Sequence, residues 1–259
     1  ATALWVGREL EKRVAAPYFM VTFTLPSELR GLFLGSGAKA AHDLLFAAAS
    51  RALSEKLADP KWLGAATSGF TAVLHTWNQR LLFHPHLHCI VPGAGLDAAG
   101  NFVRAANANF LVPVGVLRRA FRHHFRRGLE SLGLETDPDV WHTDWGVDIR
   151  PFGGGENAIK YLGRYVGRGP IGDSRIAALD DGAGTVTFTW KDRAGQDRIR
   201  RETIPGEEFV ARYLRHVLPR GMRSIRYFGF RHPAAKAARE RVAFHSGLAL
   251  CVGPPARTP

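Results

Sequence analysis

The stretch Phe83–Val91, F-H-P-H-L-H-C-I-V, decides how the rest of the chain is read. His86 and His88 flank a single apolar residue, Leu87. In a β-strand, residues two apart point to the same face. The two imidazoles then project side by side, while Leu87, Cys89 and Val91 point the other way, into a core. That is a two-histidine metal grip on a rigid element. His84 falls on the same nominal face, but Pro85 disrupts the strand beside it. His84 to His88 also spans about 13 Å at ~3.3 Å per residue, which argues against one ion taking all three. Two ligands are few, so a third is expected nearby. The candidates are Gln79, Asn78, His75 and His84, with Gln79 or Asn78, just ahead of the strand, preferred.

Working outward, Tyr18–Leu25 alternates cleanly. Phe19, Val21, Phe23 and Leu25 take one face of a half-buried strand, and Tyr18, Met20, Thr22 and Thr24 the other. From Lys39 to Leu57, apolar residues at 41, 44, 45, 48 and 52 have the spacing of an amphipathic helix, and Asp59-Pro60 ends it. A second helical stretch is expected from about Leu63 to His75. Val114 to Leu129 reads as a helix with Leu117, Phe121, Phe125 and Leu129 on one stripe. Its other face carries Arg118, Arg119, Arg122, Arg126 and Arg127. Trp141–Arg150 is expected as a strand and Glu156–Val166 as a helix after the turn Pro151–Gly155. Thr185–Trp190 and Arg198–Thr203 form a hairpin. Glu207–Leu218 is a further helix and Arg223–Phe228 a further strand. Strands and helices mix without regular βαβ alternation, which predicts an α+β fold: a central antiparallel sheet carrying the histidine strand, flanked by helices. Residues 1–17 read as a lead-in with a short helical possibility, 18–235 as the catalytic domain (171–235 its hairpin-helix-strand part) and 236–259 as a tail.

Composition narrows the partners. Thirty-five Lys and Arg against 23 Asp and Glu leave a formal charge of +12, which favours a polyanion. The two cysteines, Cys89 and Cys251, are far apart and form no C-x-x-C pair, so a reducing cytoplasm is the default. No apolar run approaches the ~18 residues of a membrane span. The start at Ala1 and the ending P-P-A-R-T-P read as boundaries within a longer protein.

The helix after the glycine turn carries Tyr161 and Tyr165 in Y-L-G-R-Y. At about 100° per residue, the two phenols lie within roughly 40° of each other. Ile159, Leu162 and Val166 form a separate stripe to bury. Paired tyrosines beside a histidine grip in a basic chain fit one reaction. A tyrosine oxygen attacks a phosphodiester and becomes covalently phosphorylated, and a divalent ion polarises the phosphate and stabilises the leaving oxygen.

The ordered motifs carry a family resemblance. H-P-H-L-H at His84–His88 resembles the histidine–apolar–histidine motif of the HUH endonucleases. L-H-T-W at Leu74–Trp77, P-F-G-G at Pro151–Gly154, Y-L-G-R-Y at Tyr161–Tyr165, S-R-I at Ser174–Ile176 and H-V-L-P-R-G-M-R-S-I-R-Y-F-G-F at His216–Phe230 are similar to the two-tyrosine rolling-circle transposases of the insertion-sequence 91 family. The resemblance implies that His86 and His88 bind Mg²⁺ or Mn²⁺, with Gln79 or Asn78 at the third position. It implies that Tyr161 and Tyr165 cut one DNA strand, hold its 5′-phosphate covalently and leave a free 3′-OH. It implies single-stranded DNA at transposon ends as the partner. Where members often read R-Y-T-H-R, this chain has Arg164-Tyr165-Val166-Gly167-Arg168.

Contact with DNA falls to the arginine face of residues 118–127 and to the segment 220–231, where Arg223 and Arg226 can track phosphates. Trp77, Tyr227 and Phe228 are candidates for stacking on unpaired bases. Three competing readings stay open: a rolling-circle replication initiator, a non-catalytic DNA-binding protein with structural zinc, and a metallohydrolase using bound water. The tandem tyrosines argue against the first. The lack of a cysteine cluster argues against the second. The third would need no tyrosine.

Overall fold

The computed structural model describes residues 2–164, 166, 169–192 and 195–247. The first half runs α1 (Thr2–Glu11), β1 (Tyr18–Thr24), α2 (Ala38–Ala58), β2 (Gly69–Trp77), β3 (Phe83–Pro92), β4 (Ala94–Leu96), β5 (Phe102–Arg104) and α3 (Val114–Ser131). The second half runs β6 (Gly146–Pro151), α4 (Glu156–Gly163), β7 (Ile176–Asp180), β8 (Thr185–Asp192), β9 (Arg198–Pro205), α5 (Gly206–Leu214), β10 (Ile225–Gly229) and α6 (Lys236–His245). Short 3₁₀ turns occupy Ser27–Phe33, Pro138–His142 and Asp173–Arg175.

The fold is α+β, as the mixed pattern predicts. Its centre is a five-stranded sheet in the order β10-β2-β3-β1-β6, with every neighbouring pair antiparallel. β3, the histidine strand, is the middle strand, so its register is pinned from both sides. A one-residue slip would send its histidines into the apolar core. β7, β8 and β9 form a separate three-stranded sheet, and β4 pairs with β5.

Both faces of the central sheet are covered. Phe19, Val21 and Phe23 of β1 and Leu87, Cys89 and Val91 of β3 face α2 and α3, where Leu45, Phe46, Leu117, Phe121 and Phe125 are also buried. Tyr18 and Met20 of β1, Val73 of β2 and Ile90 of β3 face the other way. There they meet Ile159 and Leu162 of α4, Val242 of α6 and flanking residues of α1. Burying one such large apolar side chain contributes about 1.5–3 kcal/mol. The strand expected to be half-buried is therefore buried on both faces over most of its length.

Two segments depart from the sequence expectation. Residues 69–77 form strand β2, not the C-terminal part of a helix. Eight of these nine residues are buried, and G-F-T-A-V-L-H-T-W shows no two-residue alternation because both faces of an interior strand are covered. The expected strand Trp141–Arg150 begins only at Gly146, after the 3₁₀ turn Pro138–His142.

The ends of the described chain are packed as well. On α1, Glu9 is 1% exposed and pairs with Arg231, which is 5% exposed. Arg231 also donates to the Lys12 carbonyl at 2.5 Å, and the Thr71 hydroxyl donates to Glu9 at 3.2 Å. α1 is thereby tied to β2 and to the chain just past β10.

Candidate active site

The register sets the site. His75 of β2 stands opposite His86 of β3, and His86 stands opposite Thr24 of β1. Two residues along, His88 stands between Val73 and Thr22. All three histidines therefore project from the face that α4 covers. One ring nitrogen from each lies within 4.8 Å of the other two. The ring centroids are 5.3 Å apart for His75 and His86, 4.6 Å for His75 and His88, and 4.9 Å for His86 and His88. All three ring pairs are close to edge-on.

Neighbours orient these rings. The His86 Nδ1 lies 2.7 Å from the His84 carbonyl oxygen, so it carries the proton, and Nε2 is left as the donor toward the cluster. The His88 Nδ1 is 3.0 Å from the Thr22 hydroxyl. Such outer partners fix the tautomer and the ring angle of metal-binding histidines. Burial, reinforced by the neighbouring His88 and His86, holds the His75 pKa well below its ordinary value. Burial also lowers His86, against the opposing hydrogen bond to the His84 carbonyl. Neutral imidazoles at neutral pH are what a cation requires of nitrogen ligands. The donor set therefore fits a divalent metal ion.

His75, one of the four candidates for the third position, joins the pair, while Gln79 and Asn78, the preferred ones, stand elsewhere. Gln79 lies beyond the end of β2, in the turn joining β2 to β3, four residues past His75 and about 13 Å along an extended chain. Its carbonyl accepts a hydrogen bond from Arg175. Asn78 is used within the turn, where its side-chain oxygen accepts from the backbone of Arg80 and Leu82. His75 was among the candidates, in a stretch, 63–75, expected to be helical. The β-branched and aromatic character of 70–77 was the signal for a strand that would have set His75 across from His86. His84 is outside the cluster of three, as its spacing argues. Its ring is 5.1 Å from that of His86, and burial, with His86 and Arg30 adding, pushes its pKa down to about 4.

The tyrosine helix packs over this cluster. The Tyr161 ring lies 6.4 Å from the His88 ring at 86°. The turn P-F-G-G-G sets the angle of entry. Gly155, the residue before α4, has φ of 85°, and a Cβ there would meet the Tyr18 ring at 2.4 Å. Ile159 and Leu162 are buried against the sheet, as their stripe predicts. α4 ends at Gly163, earlier than the expected Val166, where a Cβ would strike Val6 of α1 at 2.3 Å. Tyr165, the second expected nucleophile, lies outside the described residues.

The arginines expected to bind DNA do not converge on the histidines. α3 packs on the opposite face of the sheet. Arg122 donates to the Trp141 carbonyl at 2.8 Å, and Arg126 and Arg127 pair with Glu130. Arg226 pairs with Asp43 of α2 and covers the Phe46 ring at 4.1 Å, again on the α2 side. Arg118, Arg119 and Arg223 share that side through α3 and the loop beside Asp43. Two of the three aromatics are also used internally. Phe228 stacks on Phe70 at 5.0 Å, and the Tyr227 hydroxyl accepts from the Trp5 indole at 3.0 Å. Trp77 is the one beside the site, stacked on His75 at 5.7 Å and 16°.

Residues 69–239, the span from β2 into α6, match the family model described as "Putative transposase". The chain belongs to this transposase family. It is 38% identical over 251 residues to "Putative transposase y4qJ" of Sinorhizobium fredii (strain NBRC 101917 / NGR234), covering 89% of this chain and 62% of that protein. It is 29% identical over 257 residues to "Transposase for insertion sequence element IS801" of Pseudomonas savastanoi pv. phaseolicola, covering 89% of this chain and 58% of that one. The chain thus spans about three fifths of the length of these relatives. The motifs had pointed to the same family. Among solved structures it is similar to "Conjugative Relaxase Trwc In Complex With Orit DNA. Metal-Bound Structure", at 12% identity and a TM-score of 0.37, covering 90% of this chain and 73% of that one. A likeness that slight adds nothing to the family assignment. Among the described residues, no helix is long and apolar enough to cross a membrane.

Proposed function

We propose that this chain is a metal-dependent single-strand DNA endonuclease and strand transferase, acting at transposon ends by rolling-circle transposition. The observation that carries the reading is the placement of Tyr161 on α4 beside His88, next to a three-histidine cluster. A bound divalent cation would polarise the scissile phosphate and stabilise the charge on the leaving oxygen. His75, His86 and His88 would hold it, with His84 and Thr22 orienting the rings. Three nitrogen ligands suit Mn²⁺ better than Mg²⁺, which prefers oxygen.

In the step itself the Tyr161 oxygen bonds to phosphorus, and the bond from phosphorus to the 3′ oxygen breaks. The phenol proton leaves, and the departing strand takes up a proton to end in a 3′-OH. The 5′-phosphate stays on the tyrosine, which stores the bond energy for rejoining to another 3′-OH. Tyr165 is proposed as the second nucleophile, serving the second of two successive strand exchanges.

The catalytic unit, expected over residues 18–235, is proposed to extend to α1 on one side and α6 on the other, because both cover the sheet face that bears the histidines. The arginines of α3 and Arg223 and Arg226 are proposed to hold DNA that flanks the cut. A phosphate at the histidines and a phosphate at α3 would lie on opposite sides of the sheet.

The test is a labelled single strand carrying a transposon end, incubated with protein and Mn²⁺ and run on a denaturing gel. A covalent protein–DNA adduct is expected, lost when Tyr161 and Tyr165 are both changed to Phe. No adduct, or one that survives the double change, overturns the proposal.

A further inference from the structure

A cavity of about 260 Å³ lies beside the histidine cluster, and the chemistry above makes no use of it. Its walls include Thr76 and Trp77 from the end of β2, Tyr213 and Val217 from α5 and the residues after it, and Leu218 and Ser224 from the approach to β10. Trp77 is shared between cavity and histidine cluster. It lines the one and stacks on His75 of the other at 5.7 Å.

The cavity exists because β10 is shorter than β2. Their pairing runs from Gly229 opposite Gly69 to Ile225 opposite Val73, and Leu74 makes one more bond, to the Ser224 carbonyl. Past that point the edge of β2 has no strand partner on this side among the described residues. There the Thr76 hydroxyl lies 3.3 Å from the His216 Nδ1, and both residues line the cavity, giving it polar groups of the kind that the edge of a flat heterocycle pairs with. Two aromatic side chains and apolar walls supply the stacking surface. The rim is exposed and apolar, with Tyr213 at 38% and Val217 at 65% exposure.

Charge selects the ligand. Residues 209–239, which supply Tyr213, His216, Val217, Leu218 and Ser224 of this wall, contain eight Lys and Arg and no Asp or Glu. A flat, partly polar group attached to a polyanion suits that setting better than a free apolar ligand does.

We propose that this cavity takes one unpaired base of the bound single strand, the base next to the phosphate held at the histidines. Trp77 then links base to metal, so that seating the base aligns the neighbouring phosphate with Tyr161. The inference rests on the nuclease reading for the position of that phosphate, but the pocket itself is tested by binding alone.

The test uses single strands with one 5-iodouracil at a fixed position among randomised neighbours. These are bound to the full chain with Mn²⁺ and irradiated, and the cross-linked peptides are mapped by mass spectrometry. A cross-link to Trp77 or Tyr213 is expected. The variant Val217→Trp, which fills the cavity from its exposed rim, is expected to reduce that cross-link by about tenfold, in line with the loss of one stacked base. Titration with Mn²⁺ alone should give the wild-type affinity in this variant, which shows that the fold and the histidines are intact. Cross-links confined to other residues overturn the proposal, as does a Trp77 or Tyr213 cross-link that Val217→Trp leaves unchanged. Failure of the nuclease reading shows separately, as absence of the tyrosine adduct with the pocket cross-link still present.

Discussion

The His86 ring is held by the backbone of His84: its Nδ1–H donates to the His84 carbonyl oxygen at 2.7 Å. The link uses the main chain of His84 and leaves that residue's imidazole out of the cluster of three. His84→Ala should therefore keep Mn²⁺ affinity within about threefold of wild type. His86→Ala should lower it by about a hundredfold or more, since outer partners alone are worth 10–100-fold. Calorimetric titration with Mn²⁺ measures both, and equal losses would contradict this assignment.

His75 and Gln79 make a sharper pair. His75 stands opposite His86 in the sheet, while Gln79 is in the turn beyond it. His75→Ala should cost as much Mn²⁺ affinity as His86→Ala, and Gln79→Ala should be close to silent. DNA affinity should survive His75→Ala largely intact, because affinity for a strand comes mainly from basic residues. Fluorescence anisotropy with a labelled strand checks that half of the prediction.

The preference for Gln79 over His75 shows where sequence patterns stop being informative. β1 and α3 were legible because each keeps a periodic apolar face, with Phe19, Val21 and Phe23 in one and Leu117, Phe121, Phe125 and Leu129 in the other. The strand bearing His86 and His88 was legible from its own two-residue spacing. β2 was not, since an interior strand buried on both faces loses its alternation. With 63–75 read as a helix, no register placed His75 across from His86, and Gln79 or Asn78, just ahead of the strand, was preferred. The arginine face of α3 was legible from its helical spacing. Which side of the sheet it would occupy depends on how the helices pack, and no local pattern carries that.

Lowering the pH should weaken the metal-free fold. Burial holds His75 and His86 below their ordinary value and His84 down to about 4. Near pH 6.5 the unfolded chain takes up protons that these folded imidazoles refuse. Stability is thus complete above that value and falls as the pH drops, until the folded pKa is reached. Each deeply buried imidazole is worth on the order of 1 kcal/mol per pH unit. Urea midpoints of chelator-treated protein at about pH 7.5 and about pH 5.5 measure the loss, and a midpoint unchanged between them would refute it.

The buried pair of Glu9 and Arg231 ties α1 down over the sheet. Glu9→Ala leaves a guanidinium that is 5% exposed without its partner. A loss of about 3–5 kcal/mol in urea unfolding is expected. Replacing both residues by apolar ones of similar size should recover much of it.

Gly155→Ala tests how α4 is aimed. The backbone there has φ of 85°, and the added methyl carbon would collide with the Tyr18 ring. Destabilisation by more than about 1 kcal/mol is expected. The proposed tyrosine adduct should fall while Mn²⁺ affinity holds, because the glycine positions the helix of Tyr161 and not the histidine strands.

The three histidines come from two strands joined by one short turn, so the outermost pair, His75 and His88, is thirteen residues apart. Tyr161 follows His88 by seventy-three residues. Contacts that are close in sequence form with little loop-closure cost, and hairpins close in microseconds. As the chain leaves a ribosome, all three imidazoles are therefore available to meet across the hairpin well before the phenol has been synthesised. The order of translation thus delivers the proposed ligands of the cation first and the proposed nucleophile afterwards.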